Sequence, residues 1–215
     1  MDARIAVLGG DGIGPEVTAE SVKVLGAIER RFGHEFTYVT GLVGGAAIDA
    51  TGSALPTDTM NIVLGSDAVL FGAVGGPKWD DPLAMIRPED GIRALRKGLG
   101  LFANLRPAKV YEQMIDTSPL RAELLVDVDF IIVRELTGGL YFGKPKRRWE
   151  NSRGRRAVDT LTYSEKEIER VVRVAFELAM GRKKRVHSID KMNVMESSRL
   201  WREVATEVGI DYPDV

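Results

Sequence analysis

The sequence predicts an α/β fold from three observations. Short apolar runs read as buried strands, glycine or charge appears abruptly at the carboxyl end of each run, and apolar stripes at helical spacing lie between them. Residues 4–8 (Arg4-Ile5-Ala6-Val7-Leu8) form the first run and stop at Gly9-Gly10. Gly10-Asp11-Gly12-Ile13-Gly14 follows, and Pro15 suits the first turn of a helix, where its missing N–H would be unpaired anyway. Val22, Leu25, Ile28 and Phe32 then recur at helical spacing, with Gly33 as the stop. Residues 68–71 are a second buried-type strand, continued by the loop glycines Gly72, Gly75 and Gly76 with Pro77. Residues 130–133 are a third, closed by Arg134-Glu135. Ser164 and Glu167 have the spacing of a capping box. The helix it opens carries Ile168, Val171, Val172, Ala175 and Ala179 on one stripe and ends at Gly181. A strand-like 186–189 then runs into Asp190-Lys191, with a last helix expected over about 194–208. Strands alternating with helices imply an α/β architecture.

Composition excludes several function classes. Lys and Arg number 30 against 31 acidic residues, so charge points to no nucleic acid or other polyanionic partner. No apolar run approaches the roughly 20 residues that span a bilayer, so no membrane partner is expected. The start, Met1-Asp2-Ala3-Arg4, has no signal-peptide pattern. The absence of cysteine rules out disulfides, thiolate metal sites and a cysteine nucleophile, and it fits a cytoplasmic setting.

In open α/β sheets, ligands bind beyond the carboxyl ends of the strands. That rule selects residues 10–14, 72–89, 134–141 and 190–194. The first resembles a nucleotide-binding glycine loop, but its glycines alternate and lack the Rossmann spacing, so a tight strand-to-helix turn is favoured. The second is a long glycine-rich loop with Lys78, Trp79 and Glu89, followed by Arg96 and Arg106. An arginine presents a planar fork matched to carboxylates, although a lone one is usually a solvated surface group. The third, Arg134-Glu135-Leu136-Thr137-Gly138-Gly139-Leu140-Tyr141, places an acid-binding arginine and a phenolic proton donor after a strand; the alternative is a structural turn. The fourth sets Lys191 past a buried strand, where desolvation would favour a base. Lys144, Lys146, Arg147, Arg148, Arg153, Arg155 and Arg156 cluster around Trp149, and with flanking acids they read as a solvated arm or loop. His34 and His187 are isolated and have no partner at metal-ligand spacing.

Four strings, in this order, resemble the isopropylmalate and isocitrate dehydrogenase family over essentially the whole chain. They are Ala6-Val7-Leu8-Gly9-Gly10-Asp11-Gly12-Ile13-Gly14-Pro15-Glu16, Phe71-Gly72-Ala73-Val74-Gly75-Gly76-Pro77-Lys78-Trp79, Leu101-Phe102-Ala103-Asn104-Leu105-Arg106-Pro107 and Ser188-Ile189-Asp190-Lys191. Arg134-Glu135-Leu136-Thr137-Gly138-Gly139 is similar to the isopropylmalate branch, whereas other branches usually carry Arg-Glu-Asn at that point. The resemblance implies that family's fold, distinct from the Rossmann type, with two α/β domains: 1–102 on the NAD side, its sheet incomplete within this chain, and 103–215. A dimer arm would lie near 138–158.

The implied activity is NAD-dependent oxidative decarboxylation of 3-isopropylmalate to 4-methyl-2-oxopentanoate, in leucine biosynthesis. By the same resemblance Arg96, Arg106 and Arg134 clamp substrate carboxylates, and Ile92 packs the isopropyl group. Tyr141 is the general acid, and Lys191 serves proton removal from the hydroxyl in a partner subunit's site. Ile13, Gly76, Pro77, Lys78, Glu89, Asn193 and Val194 contribute to the NAD surface. A homodimer and Mg²⁺ or Mn²⁺ are implied, the metal ligands being expected from a carboxyl-terminal segment that the family carries beyond these 215 residues. No residue here is assigned to the metal. Arg93, where the family is usually apolar, and Met192, where a small residue is usual, depart from the pattern. Arg93 keeps open a relative acting on another 2-hydroxy acid of the isocitrate, tartrate or malate type. A fragment acting only as a binding or dimerising module is the reading from outside the enzyme class.

Overall fold

A computed structural model describes residues 1–81 and 83–215; Pro82, inside the 76–89 loop, lies outside the described residues. The chain divides into two compact units, Met1–Gly100 and Leu101–Val215.

The first unit is built on a parallel sheet of order β2-β1-β3, from β1 (Asp2–Gly10), β2 (Glu35–Thr40) and β3 (Ala68–Ala73). β1 is central and pairs Ile5 with Tyr38 on one side and with Ala68 on the other. A parallel pair needs a crossover, and α1 (Gly14–Phe32) supplies it between β1 and β2. Gly33 closes α1 in the left-handed conformation, φ 67°, donating to the Glu29 carbonyl. Helices α2 (Gly45–Thr51) and α3 (Thr57–Leu64) lead to β3, and α4 (Pro88–Gly98) follows it. Ala6, Leu8, Val43, Val63 and Leu95 make the core between these elements.

The second unit pairs β4 (Ala103–Lys109) with β5 (Asp129–Glu135) antiparallel, Asn104 opposite Arg134 and Arg106 opposite Ile132. Helices α5 (Glu165–Met180) and α6 (Glu196–Ile210) bury Ile168, Val171, Val172, Val204, Ala205 and Val208 against Phe102, Val133 and Trp201. The capping box expected at Ser164 is present: its hydroxyl accepts from the Glu167 backbone N–H while the Glu167 carboxylate accepts from the Ser164 N–H at 2.8 Å. The basic stretch is a hairpin of β6 (Arg147–Asn151) and β7 (Gly154–Val158), largely exposed along its length.

Two expectations are corrected. Residues 186–189 pair with no strand among the described residues, so they form no ladder, and Ile189 is exposed. Phe32 does not join a buried stripe. It is 63% exposed at the end of α1, where it stacks on His34 instead.

Candidate active site

In the first unit, helix α4 gathers three expected residues. It begins at Pro88, with the Arg87 backbone N–H donating to Asp90 Oδ2 at 2.8 Å. Glu89 and Asp90 in its first turn and Arg96 and Lys97 in its last complement the helix dipole. Glu89, Ile92 and Arg96 fall at i, i+3 and i+7 and share one face. Arg93 does not need to face a ligand there, because its guanidinium pairs with Asp90 one turn back on the same helix.

The glycine loop is a structural turn. Gly10 has φ 74°, and a Cβ there would overlap the Ala73 carbonyl; a Cβ on Gly14 would overlap that of Gly9. Gly10 and Gly14 are therefore required by close packing of β1, α1 and β3, whereas Gly12 has open space around it and serves its positive φ of 56°. Asp11, between Gly10 and Gly12, is 4% exposed and accepts three backbone N–H groups, from Gly45 (2.7 Å), Ala46 (2.7 Å) and Gly75 (2.8 Å). Ile13 stands 57% exposed ahead of α1. Gly75 and Gly76 lead into a short turn, Pro77–Trp79, and the Glu89 carboxylate lies against Gly75. Lys78 Nζ pairs with Asp49 Oδ2 at 2.5 Å, and this hydrogen bond from Lys78 is the main reason the Asp49 carboxyl is held below its ordinary pKa. The Gly75 N–H to Asp11 hydrogen bond thus ties the start of the loop carrying Gly76, Pro77 and Lys78 to the turn that precedes Ile13, and Glu89 lies against the same Gly75.

In the second unit, register brings the other arginines together. Asn104 faces Arg134 across the ladder and Arg106 is two residues along β4, so Arg106 and Arg134 are diagonal neighbours on one face. Arg106 Nε donates to Asn104 Oδ1 at 2.6 Å, which draws the guanidinium towards that pair. The Arg134 guanidinium lies over the Tyr141 ring, 5.3 Å from its centroid.

Alternation along β5 sends Glu135 to the opposite face. Its side chain is 1% exposed and accepts from Thr137 N (2.8 Å), Thr137 Oγ1 (2.7 Å), Gly138 N (2.7 Å) and Arg170 on α5 (2.9 Å). The turn carrying Tyr141 is therefore tied to the helix layer. A cleft of about 840 Å³ in this unit includes Arg134, Leu140, Tyr141 and Ile189 in its lining.

Lys191, Asn193 and Val194 occupy a separate exposed turn before α6, in which the Lys191 carbonyl accepts from the Val194 and Met195 N–H groups. Because 186–189 is not a buried strand, Lys191 is not desolvated at its end as expected. Met192 in this turn contacts Arg202 of α6 through its sulfur. Sequence reasoning passed over Asp11, Asp49, Glu135 and Arg170; only Asp11, framed by glycines, carried a local signal. Among the described residues, no group of three or more His, Asp or Glu side chains stands together as a metal site, and no helix is long and apolar enough to cross a membrane.

A family model described as isocitrate/isopropylmalate dehydrogenase matches residues 4–215. A 3-isopropylmalate dehydrogenase of Bacillus caldotenax is 60% identical over 99% of this chain and 58% of its own length. That of Anaeromyxobacter dehalogenans is 59% identical over 100% of the chain and 61% of its own length. Among solved structures, isocitrate dehydrogenase from Methylococcus capsulatus superposes with a TM-score of 0.80 at 28% identity, over 99% of this chain and 58% of its own. The apo β-decarboxylating dehydrogenase of Thermococcus kodakarensis gives 0.67 at 33%, over 97% of this chain and 55% of its own. The chain spans about three-fifths of the length of the curated relatives it matches. The chain belongs to the isocitrate/isopropylmalate dehydrogenase family.

Proposed function

We propose that this chain supplies the substrate-clamping and NAD-facing part of a cytoplasmic 3-isopropylmalate dehydrogenase of leucine biosynthesis. The observation that carries the reading is that Arg106 and Arg134 share one face of the β4–β5 ladder, with the Arg134 guanidinium over the Tyr141 ring. It is supported by relatives of that name at 59–60% identity. Arg106 and Arg134 offer guanidinium forks to the two carboxylates of a 2-hydroxy diacid, and Arg96 on α4 is a further candidate for a carboxylate contact. Ile92, on the same face of α4 as Arg96, offers an apolar surface for the isopropyl group. The Arg93–Asp90 pair keeps the neighbouring charge satisfied away from that surface, which favours an apolar substrate branch over a further carboxylate.

In this reading Lys191, acting in a partner subunit's site, assists loss of the hydroxyl proton. The carbinol hydrogen departs as hydride, leaving a 2-oxo acid whose β-carboxylate is lost as carbon dioxide. Tyr141 delivers a proton to the carbon that carried that carboxylate, and the arginines hold the acid in line throughout. NAD, when bound, accepts the hydride. Ile13, Gly76, Pro77, Lys78 and Glu89 are the first unit's candidates for holding it, and Asn193 and Val194 are those of the second unit. Among the described residues no group of three or more His, Asp or Glu side chains would hold Mg²⁺ or Mn²⁺. The exposed β6–β7 hairpin is the contact proposed for a homodimer, since a lone two-stranded hairpin is marginal in water.

NADH formation tests this, using the chain alone and the chain completed with the remainder of a curated relative. Each is assayed with 3-isopropylmalate, isocitrate, malate and tartrate in the presence of Mn²⁺ or Mg²⁺. The completed protein is expected to prefer 3-isopropylmalate; preference for another acid would overturn the substrate assignment.

A further inference from the structure

Helix α2 is short, yet two separate segments converge on it, the turn carrying Asp11 and residues 75–79. At its amino end the Gly45 and Ala46 N–H groups donate to Asp11, whose carboxylate also takes the Gly75 N–H. Near its carboxyl end Asp49 accepts from Lys78 Nζ at 2.5 Å and from Trp79 Nε1 at 3.3 Å. Between these anchors the Trp79 ring lies directly on Gly45, where any Cβ would overlap it. Lys78 also sits 5.3 Å from the Trp79 ring centroid. The 75–79 segment is thus held at its last two residues by Asp49 of α2 and at its first by Asp11, the same carboxylate that caps the amino end of α2.

An acid near the end of a helix opposes the helix dipole, and aspartate is a poor helix former. Asp49 is therefore unfavourable to α2 taken alone, and its compensation is the two donors of the 75–79 segment. We infer that α2 is a splint for the cofactor-facing loop, with Asp49 as a positioning residue that sets Lys78 and Trp79, and Asp11 as the inner anchor. This rests on the reading of residues 76–89 as NAD-facing. The splint itself is independent of that reading.

The test uses Asp49→Ala, Asp49→Asn and Gly45→Ala in this chain. Hydrogen exchange is followed in peptides covering 72–81, and NAD affinity is measured by calorimetric titration. Asp49→Ala is expected to speed exchange in 75–79 and to weaken NAD about tenfold. Asp49→Asn falls between, because its amide oxygen still accepts from Trp79. Gly45→Ala displaces the indole and matches Asp49→Ala without removing a charge.

Val63→Ala, a core change in the same unit, is the control for stability. If it weakens NAD as much as Asp49→Ala, positioning by Asp49 is overturned. Faster loop exchange with unchanged NAD affinity overturns it too. Unchanged exchange in every variant removes the splint itself. If the parent chain shows no NAD binding while exchange responds as expected, the splint stands, and its assignment to the cofactor falls with the NAD-facing reading.

Discussion

Where β5 ends, the Arg134 guanidinium covers one face of the Tyr141 ring, 5.3 Å from its centroid. A cation over an aromatic face is attracted by the ring quadrupole, which sets the two side chains relative to one another. Removing only the hydroxyl separates chemistry from packing. Tyr141→Phe is expected to keep the stack of the Arg134 guanidinium on the ring. In the completed enzyme it should lower turnover by about 10²- to 10⁴-fold, the usual worth of a positioned acid. Full activity in the phenylalanine variant would remove Tyr141 from the chemistry.

Glu135 is the acid on which that turn depends. Its 1% exposed side chain accepts from Thr137, Gly138 and Arg170. Glu135→Ala leaves those donors unanswered and should cost about 3 kcal/mol, the low end for a broken buried pair because Arg170 keeps contact with water. The urea midpoint of the second unit reads this. A shift under about 1 kcal/mol would mean that water replaces the carboxylate.

The capping box at α5 predicts a smaller, separable effect. Ser164→Ala removes the acceptor for the Glu167 N–H and should cost about 1 kcal/mol, whereas Ser164→Asp should restore most of it. Equal stability of the alanine variant and the parent would show that water caps the helix as well as the hydroxyl does.

Tyr163 gives the second unit an alkaline limit. Burial raises its phenol above the ordinary value of 10.0, with the negative charge of Glu135 adding to the effect. A raised folded-state pKa means that the folded chain holds the proton more tightly. The stabilisation is therefore complete below about pH 10 and is lost as the pH climbs through the folded value. Urea titrations from pH 8 to pH 11 should show a fall in stability that Tyr163→Phe abolishes. A slope surviving in that variant would assign the effect to another group.

Legibility in the sequence followed locality. The capping box of α5, the glycine stop of α1 and the apolar runs of β1, β3 and β5 are signalled within a few residues, and each appears in the fold. Strands β2 and β4 were missed because neither is a clean apolar run. Glu35-Phe36-Thr37-Tyr38 alternates, and β4 carries Asn104, Arg106 and Pro107. The reverse error at 186–189 has the same origin, since an apolar string needs a hydrogen-bonded neighbour to become a strand. The short helices α2 and α3 carried too few turns for their periodicity to stand out.

By itself the sequence determined the α/β class, the helix ends and the family, because strand-end motifs and caps are written in contiguous residues. It also named Arg106, Arg134 and Tyr141 as candidates. Only the tertiary structure decided that Arg106 and Arg134 share a face, since that depends on the register of β4 against β5. It also decided that Gly10 and Gly14 serve packing, and that Asp11 and Glu135 are buried acceptors. A carboxylate looks the same in a sequence whether water or backbone N–H groups surround it. Its role emerges when distant segments bring their unpaired donors to it, as Gly45 and Gly75 do at Asp11.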